Sequence, residues 1–197
     1  METFIMGLLV VTSIVSVTFI VERALALRWE KVLPQSLRQT VAQCRTSAEV
    51  PMLRRVCEQQ SSALARLLLL ATEHLDWPKA ENADMLETRA RQEIVKLERG
   101  LVVLEITTGI APLLGLVGTI YGMITLFAGL GEAGDSSSFA GGISLALRAT
   151  LIGLLVAIPS LIAWSYYTKK VESMAVEMES VCEEFLRLQY RNGSDKA

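Results

Sequence analysis

Residues 111–123 read APLLGLVGTIYGM, and residues 149–159 read ATLIGLLVAIP. Each stretch is apolar, contains glycine and proline, and carries one threonine, Thr119 in the first and Thr150 in the second. Small residues let helices pack closely in lipid, and a proline within a helix frees a backbone carbonyl. An isolated hydroxyl in an apolar span is a candidate for the path of a small ion. The two stretches therefore predict a helical membrane subunit that moves something as small as a proton.

The whole chain is more apolar than an ordinary water-soluble domain. Of its 197 residues, 51% are hydrophobic, and the mean hydropathy is +0.40. Three stretches, residues 4–21, 100–130 and 143–167, approach the roughly 20 apolar residues that crossing a bilayer requires. The first follows Met1-Glu2-Thr3, without a basic residue or a small-residue cleavage site, which favours a retained span over a signal peptide. We therefore expect an all-α membrane protein with three transmembrane helices and long cytoplasmic helical extensions.

Basic residues gather at one end of every span. They follow the first and third spans and precede the second, whereas only Glu132 and Asp135 carry charge between the second and third. By the positive-inside rule, the first span runs from outside to inside and the carboxyl end is cytoplasmic. Residues 22–99 then form a cytoplasmic helical segment, residues 131–142 an outer loop, and residues 168–197 a cytoplasmic helix and tail. The basic residues concerned are Arg23, Arg28, Lys31, Arg89, Arg91, Lys96, Arg99, Lys169 and Lys170.

The segments outside the spans have helical patterns. Pro34, Pro51 and Pro78 each suit the first turn of a helix. Nothing interrupts a helix over residues 82–99, so we expect it to continue into the second span. Residues 169–190 are expected to extend the third span, with apolar residues three and four apart that form a packing stripe. The stripe consists of Val171, Met174, Ala175, Met178, Val181, Cys182, Phe185 and Leu188.

The reactive side chains do not form a recognisable catalytic or metal-binding motif. Cys44, Cys57 and Cys182 all fall on the cytoplasmic side, where thiols stay reduced. The sequence has no Cys-x-x-Cys, and His74 is its only histidine, so we expect no metal site. It also lacks nucleophile and phosphate-loop motifs and a nucleic-acid signature. We expect neither an enzyme nor a nucleic-acid partner, and no cofactor.

Small residues line one face of the second span and one face of the third. On the second, Gly118 and Gly122 form a GxxxG pair. Because one three-helix subunit cannot fully cover both stripes, we expect a ring of subunits. For the two threonines the alternative is that each bonds the carbonyl four residues earlier and only packs. The residues expected to serve helix packing and kinks are Pro112, Gly115, Gly118, Gly122, Gly153 and Pro159.

The two motifs, at their separation along the chain, resemble the ExbB/TolQ family of proton-motor subunits, within the wider group that includes flagellar MotA. The likeness is specific over about residues 100–163, and the three spans agree with it elsewhere. It implies a pentamer whose second and third spans line a central pore. It also implies an ExbD/TolR-like partner with a single span that enters the pore and carries a protonatable aspartate. Thr119 and Thr150 take the positions of the family's pore threonines.

The resemblance further implies a bacterial inner-membrane protein with a periplasmic amino end. It implies a TonB/TolA-like protein as a further partner and H⁺ as the transported ion. Two alternatives stay open from the residues. The chain could be a structural membrane scaffold without ion conduction, or a flagellar stator of the MotA type, although that type normally has a further span.

The chain lacks an intramembrane glutamate that some members of the family carry. Some relatives carry glutamate five residues before the third-span threonine, where this chain has Leu145, and Arg148 lies nearby. Glu105 is the only carboxylate within a span, and a charge at mid-span costs at least ~2.5–3.5 kcal/mol. The two charges lie near opposite ends of their spans, so we expect no pair between them. Arg148 either snorkels to the interface or contacts an acidic group of a neighbour, and it lies about 200° around the helix from Thr150.

Overall fold

The computed structural model describes residues 2–129 and 136–194, and within these residues the chain is helical without a β-strand. Three of its helices are long and apolar enough to cross a membrane, at Phe4–Ala26, at Leu101–Ala128 and within Gly141–Arg191. The helices are α1 Glu2–Ala26, α2 Trp29–Val32, α3 Gln35–Gln43, a 3₁₀ turn Ser47–Glu49, α4 Val50–Glu58, α5 Ala63–Glu73, α6 Lys79–Glu98, α7 Leu101–Gly129 and α8 Ser136–Ser194.

The chain divides into two compact units. The membrane unit consists of residues 1–23 and 100–167, and the extramembrane unit consists of residues 24–99 and 168–197. In the membrane unit, the Ser16 and Ser160 hydroxyls join α1 to α8 with an oxygen–oxygen distance of 2.6 Å. The Tyr167 hydroxyl donates to the Ile20 carbonyl at 3.2 Å. Most outward side chains of this unit are apolar, as expected of a surface in contact with lipid, although Glu105 and Arg148 are also exposed.

The extramembrane unit is built around a core of large apolar side chains. Five residues of the stripe expected on residues 169–190 belong to this core: Met174, Met178, Val181, Cys182 and Phe185. Val171, Met174, Met178, Val181, Cys182 and Phe185 are buried, whereas Ala175 and Leu188 are half-buried. The prediction of a packing stripe is therefore confirmed. The stripe packs with buried residues from α3, α4 and α5, among them Leu37, Val41, Leu53, Leu64, Leu67 and Leu68.

The three prolines stand at helix starts, as expected. Pro34 and Pro78 directly precede α3 and α6, and Pro51 lies in the first turn of α4. One further break was not expected from the sequence. It lies between α4 and α5, where the Ser62 hydroxyl caps α5 by accepting from the Ala65 amide at 3.1 Å.

Two boundaries differ from expectation. The helix over residues 82–99 was expected to run into the second span, but α6 ends at Glu98 and α7 begins at Leu101. Glycine is a weak helix former, which favours a break at Gly100. A Cβ there would lie 2.5 Å from Arg23 Nε, a clash that a movement of this flexible side chain can relieve. The outer loop was expected at residues 131–142, yet residues 136–142 already belong to α8. Residues 130–135 lie outside the described part.

Candidate site between two membrane helices

Helices α7 and α8 approach each other through backbone atoms, because glycine lies at the points of contact. A Cβ on Gly115 would lie 2.8 Å from the Ala149 carbonyl oxygen, and one on Gly153 would lie 2.5 Å from the Ala111 carbonyl oxygen. Such distances are below any ordinary Cβ contact. Gly118 and Gly122 meet the methyl groups of alanines in the same way, at 2.7 and 2.8 Å. The four glycines therefore set the spacing of the two helices.

This packing overturns one premise of the sequence analysis. The two stripes of small residues were expected to need neighbouring subunits, because one subunit would leave them uncovered. Instead they cover each other within the chain, with Gly115 and Gly118 against Ala149, and Gly122 against Ala146. The stripes belong to antiparallel neighbours, which a sequence pattern on each helix cannot reveal. The expectation of a ring of subunits therefore cannot rest on small-residue stripes that a single chain leaves uncovered.

Thr119 and Thr150 meet at the centre of this contact. Their hydroxyl groups are hydrogen-bonded to each other, and both side chains are half-buried. The Gly115 carbonyl accepts from Thr119 at 3.1 Å and from Thr150 at 3.2 Å. The Ala146 carbonyl lies 3.4 Å from the Thr119 hydroxyl. Two hydroxyls and two backbone carbonyls therefore form a compact oxygen cluster in otherwise apolar surroundings.

Each hydroxyl has one proton but two or more acceptors within reach. The proton of Thr119 can point to Thr150, to Gly115 or to Ala146, and the proton of Thr150 to Thr119 or Gly115. The cluster can therefore reorient its hydrogen bonds without moving the helices. Gly115 takes part twice, because it provides the acceptor and also the space for α8.

Both prolines lie inside continuous helices, Pro112 in α7 and Pro159 in α8. Proline has no amide hydrogen, so the carbonyls of Thr108 and Leu155, four residues earlier, lose their usual helical donors. Pro112 is half-buried and Pro159 is exposed on the surface of the unit. Pro112 lies seven residues from Thr119 and Pro159 nine residues from Thr150, so neither ring adjoins the pair. The role of the two prolines in kinking the helices stays a prediction.

The two charged candidates stay apart, as expected. Glu105 and Arg148 are both exposed, and neither has a hydrogen bond or ion pair with another residue in the described ranges. Gly118 contacts Ala149 and marks the level of Arg148 on α7. Glu105 precedes Gly118 by thirteen residues, which is about 20 Å along the helix. A Glu105–Arg148 pair within the chain is therefore excluded.

One polar pair in the membrane unit escaped the sequence analysis. Ser16 and Ser160 are almost fully buried, and the Ser160 hydroxyl also donates to the Val156 carbonyl at 2.7 Å. Ser16 looked like one of several small interruptions of the first span. Because the partner is 144 residues away, no local pattern could distinguish it from Thr12 or Ser13.

Outside the membrane unit, Glu93 is the most heavily paired carboxylate. It is 1% exposed and contacts Arg66 at 3.0 Å, Lys96 at 2.8 Å and Arg89 at 3.7 Å. Burial raises the pKa of the Glu93 carboxyl, but hydrogen bonds from Arg66 and Lys96 outweigh it, so the pKa is lowered.

The three cysteines are free and buried in the same unit. Burial raises the pKa of Cys57 and of Cys182 to about 12, so both thiols are protonated at neutral pH. Among the residues described, no group of three or more histidine, cysteine, aspartate or glutamate side chains could hold a metal ion.

Three apolar helices, two of them joined by small residues around a polar cluster, define a multi-span membrane protein. A family model described as the MotA/TolQ/ExbB proton channel family matches residues 52–180, well over half of the chain. The chain belongs to this family. The match covers most of the extramembrane unit as well as both membrane helices of the candidate site.

Individual relatives carry the names expected from the motifs. The chain is 38% identical to biopolymer transport protein ExbB of Helicobacter pylori over 81 residues, 40% of this chain and 56% of that protein. It is 34% identical to ExbB of Aquifex aeolicus over 88 residues, 44% and 60% of the two chains. It is 32% identical to the Tol-Pal system protein TolQ of Haemophilus influenzae over 108 residues, 54% and 47% of the two chains. The chain thus spans about half the length of these curated relatives.

Proposed function

We propose that this chain is the pore-forming stator subunit of a bacterial inner-membrane proton motor of the ExbB/TolQ kind. In such a motor the proton gradient energises a partner that spans the periplasm. The observation that carries the proposal is the oxygen cluster of Thr119, Thr150 and Gly115 between α7 and α8. Its hydroxyls can relay hydrogen bonds at a point where the surrounding span is apolar.

The cluster needs a protonatable group from another chain. Glu105 is the only carboxylate in α7 and in the described membrane part of α8, and it lies about 20 Å from the level of the cluster along α7. A single-span ExbD/TolR-like subunit with an intramembrane carboxylate would provide that group. One proton crossing ~150 mV releases about 3.5 kcal/mol, which is the work available for moving such a subunit. A TonB/TolA-like protein would receive this work in the periplasm.

The proposed assembly is a pentamer with α7 and α8 towards the pore and α1 towards lipid. Large apolar side chains on α7 support it, since Leu113 is 60% exposed and Ile120 is 52% exposed in the single chain. These side chains need either lipid or a neighbouring copy. The proposed orientation has a periplasmic amino end and a cytoplasmic carboxyl end. Native mass spectrometry in mild detergent should show one dominant ring, and a stable monomer would refute the assembly.

A purely structural scaffold is the second candidate, and one observation favours it. Each threonine hydroxyl already has partners within the chain, including the bond from Thr119 to the carbonyl four residues earlier. On that view, the cluster only joins α7 to α8. A flagellar stator of the MotA type is a further alternative within the same family.

Thr→Val exchanges separate these candidates, because valine keeps the shape of threonine and removes the hydroxyl. The chain should be reconstituted in vesicles with its single-span partner, and proton flux measured with an internal pH dye. Interhelical hydrogen bonds in membranes contribute on average about 0.6 kcal/mol, so Thr119→Val and Thr150→Val should assemble normally. We expect both to lose most of the flux. Thr125→Val is the matched control, because Thr125 is exposed on α7 and bonds only the Tyr121 and Gly122 carbonyls of its own helix.

Full flux in both variants would support the scaffold and contradict the proposed ion path. Loss of flux in the Thr125→Val control as well would show that the effect is not specific to the Thr119–Thr150 cluster, and it would contradict the proposed ion path.

A further inference from the structure

Arg148 stands alone on the outward face of α8. It lies about 200° around the helix from Thr150, so it points away from α7. Its side chain is exposed and has no hydrogen bond or ion pair with any other described residue. It borders a shallow groove of about 460 Å³ that Ile143, Ser144, Leu147 and Leu151 complete. A guanidinium on an apolar membrane surface is stabilised by water at the interface or by an anionic group, so this face suits an anionic partner.

The depth of Arg148 identifies the kind of partner. Lys169 marks one end of the apolar part of α8, where it pairs with Glu172 at 2.6 Å on an exposed surface. Arg148 is twenty-one residues from Lys169, which is about 32 Å at 1.5 Å per residue. The hydrocarbon core of a bilayer is about 30 Å thick. The guanidinium therefore reaches the opposite edge of the hydrocarbon, where phospholipid phosphates lie.

A second measure, along α7, agrees with this depth. Gly118, which marks the level of Arg148, is seventeen residues from Leu101, or about 26 Å. With Leu101 at one edge of a hydrocarbon core about 30 Å thick, this length places Gly118 within about one helical turn of the other edge. Arginine side chains are long enough to bridge that distance.

A second copy of this chain offers no carboxylate from α7 or from the membrane part of α8 at this depth. Glu2, at the start of α1, lies about one helical turn beyond Ile5, which faces Gly118, so its removal is included in the test below. In any assembly in which all copies cross the membrane in the same direction, Glu105 of a neighbour lies about 20 Å away, near the other edge. The face also lacks any other charged residue among the groove-lining side chains.

We propose that Arg148 and Ser144 bind the phosphodiester of a phospholipid in the leaflet opposite Lys169. The planar guanidinium matches two phosphate oxygens at once. Ser144 lies one helical turn further towards the headgroups, where its hydroxyl can donate to the same group. Leu147 and Leu151 flank Arg148 on the same face and contact the first part of an acyl chain. The site is thus a lipid-phosphate anchor on the side of α8 that faces away from the Thr119–Thr150 pair.

Native mass spectrometry of the full chain in mild detergent tests the site. The protein is titrated with palmitoyl-oleoyl phosphatidylglycerol and, separately, with palmitoyl-oleoyl glycerol, which has the same chains and no phosphate. We expect Arg148→Gln to lower the number of phosphatidylglycerol molecules retained per subunit several-fold, and Ser144→Ala to lower it less. Arg148→Lys should retain an intermediate number of phosphatidylglycerol molecules, because lysine keeps the positive charge but lacks the planar guanidinium that binds two phosphate oxygens. Retention of the phosphate-free lipid should be weak and equal in all variants.

Arg187→Gln is the control, because Arg187 is an exposed cation of α8 in the extramembrane unit. It should retain phosphatidylglycerol like the unchanged chain. Millimolar inorganic phosphate should not displace the lipid, and displacement would show a free-phosphate site instead. Equal retention by Arg148→Gln and the unchanged chain would overturn the proposal. It would also be overturned if Glu2→Gln, Glu132→Gln or Asp135→Asn reproduced the loss, or if Arg148→Gln released a protein partner while lipid retention stayed unchanged.

Discussion

The membrane unit and the extramembrane unit are packed by opposite means. Where α7 meets α8, the buried residues are glycine and alanine beside two half-buried threonines, and the helices touch through their backbones. The extramembrane unit buries large side chains, including Phe185, Met174 and Met178. In water, burying apolar area drives folding, so large residues contribute most. In lipid that drive is absent between helices, so close backbone approach and hydrogen bonds contribute instead.

The polar groups inside the two units also differ, being neutral in the membrane unit and charged in the extramembrane unit. The membrane unit pairs neutral hydroxyls, with Thr119 and Thr150 half-buried and Ser16 and Ser160 buried. The extramembrane unit buries an ionised carboxylate, Glu93, whose cationic partners reach solvent. Neutral pairs cost little to keep in hydrocarbon, whereas a buried carboxylate is tolerated only where charged partners surround it.

Gly153→Leu should destabilise the folded protein most, because a leucine side chain there disrupts the backbone contact between α7 and α8. A Cβ there would already lie 2.5 Å from the Ala111 carbonyl oxygen and 3.2 Å from the Gly115 Cα. We expect loss of the folded protein in detergent, seen as aggregation on size-exclusion chromatography. Gly109→Leu is the matched control on α7, since no atom lies within 4 Å of its Cβ position. If both variants behaved alike, close glycine packing would not distinguish the membrane unit.

Phe185→Ala should come next and should act on the extramembrane unit. Phe185 is fully buried, and removing a buried phenylalanine typically costs about 3–5 kcal/mol. We expect a clear fall in the denaturant midpoint of this unit, followed by the fluorescence of Trp29 and Trp77. Val176→Ala, at a side chain that is 66% exposed on the same helix, should change the midpoint little. A small change in the denaturant midpoint for Phe185→Ala would mean that large buried side chains do not dominate the stability of the extramembrane unit.

Glu93→Gln should have the smallest effect of the three and should depend on pH. Removing the charge leaves exposed cations without their partner, and we expect a loss of about 1–2 kcal/mol at neutral pH. Because the pKa of Glu93 is lowered in the folded chain, its contribution is present above the ordinary value of 4.5 and is lost as pH falls through the folded pKa. The variant and the unchanged chain should therefore converge in strongly acidic buffer, which chemical denaturation at a series of pH values measures.

Glu87→Gln provides the matched control for that series. Glu87 lies on the same helix and pairs with Arg91 four residues later on an exposed surface, where such pairs contribute about 0.3–0.5 kcal/mol. A difference between Glu93→Gln and the unchanged chain that persisted undiminished in acid would show that Glu93 acts through shape and not through charge.

The sequence by itself determined the three apolar helices, the helix starts at Pro34, Pro51 and Pro78, and the apolar stripe on residues 169–190. These features follow from local composition and from periodicity within one helix, which the order of residues contains directly. The motifs around Thr119 and Thr150 also sufficed to indicate the family.

Only the tertiary structure decided which surfaces meet. It turned the two small-residue stripes towards each other, joined Thr119 to Thr150 and Ser16 to Ser160, and left Arg148 on the opposite face of α8. These pairings depend on the relative rotation and depth of helices that are far apart in sequence. Each helix pattern is compatible with several such arrangements, and the contact distances between glycine and the neighbouring backbone select one of them.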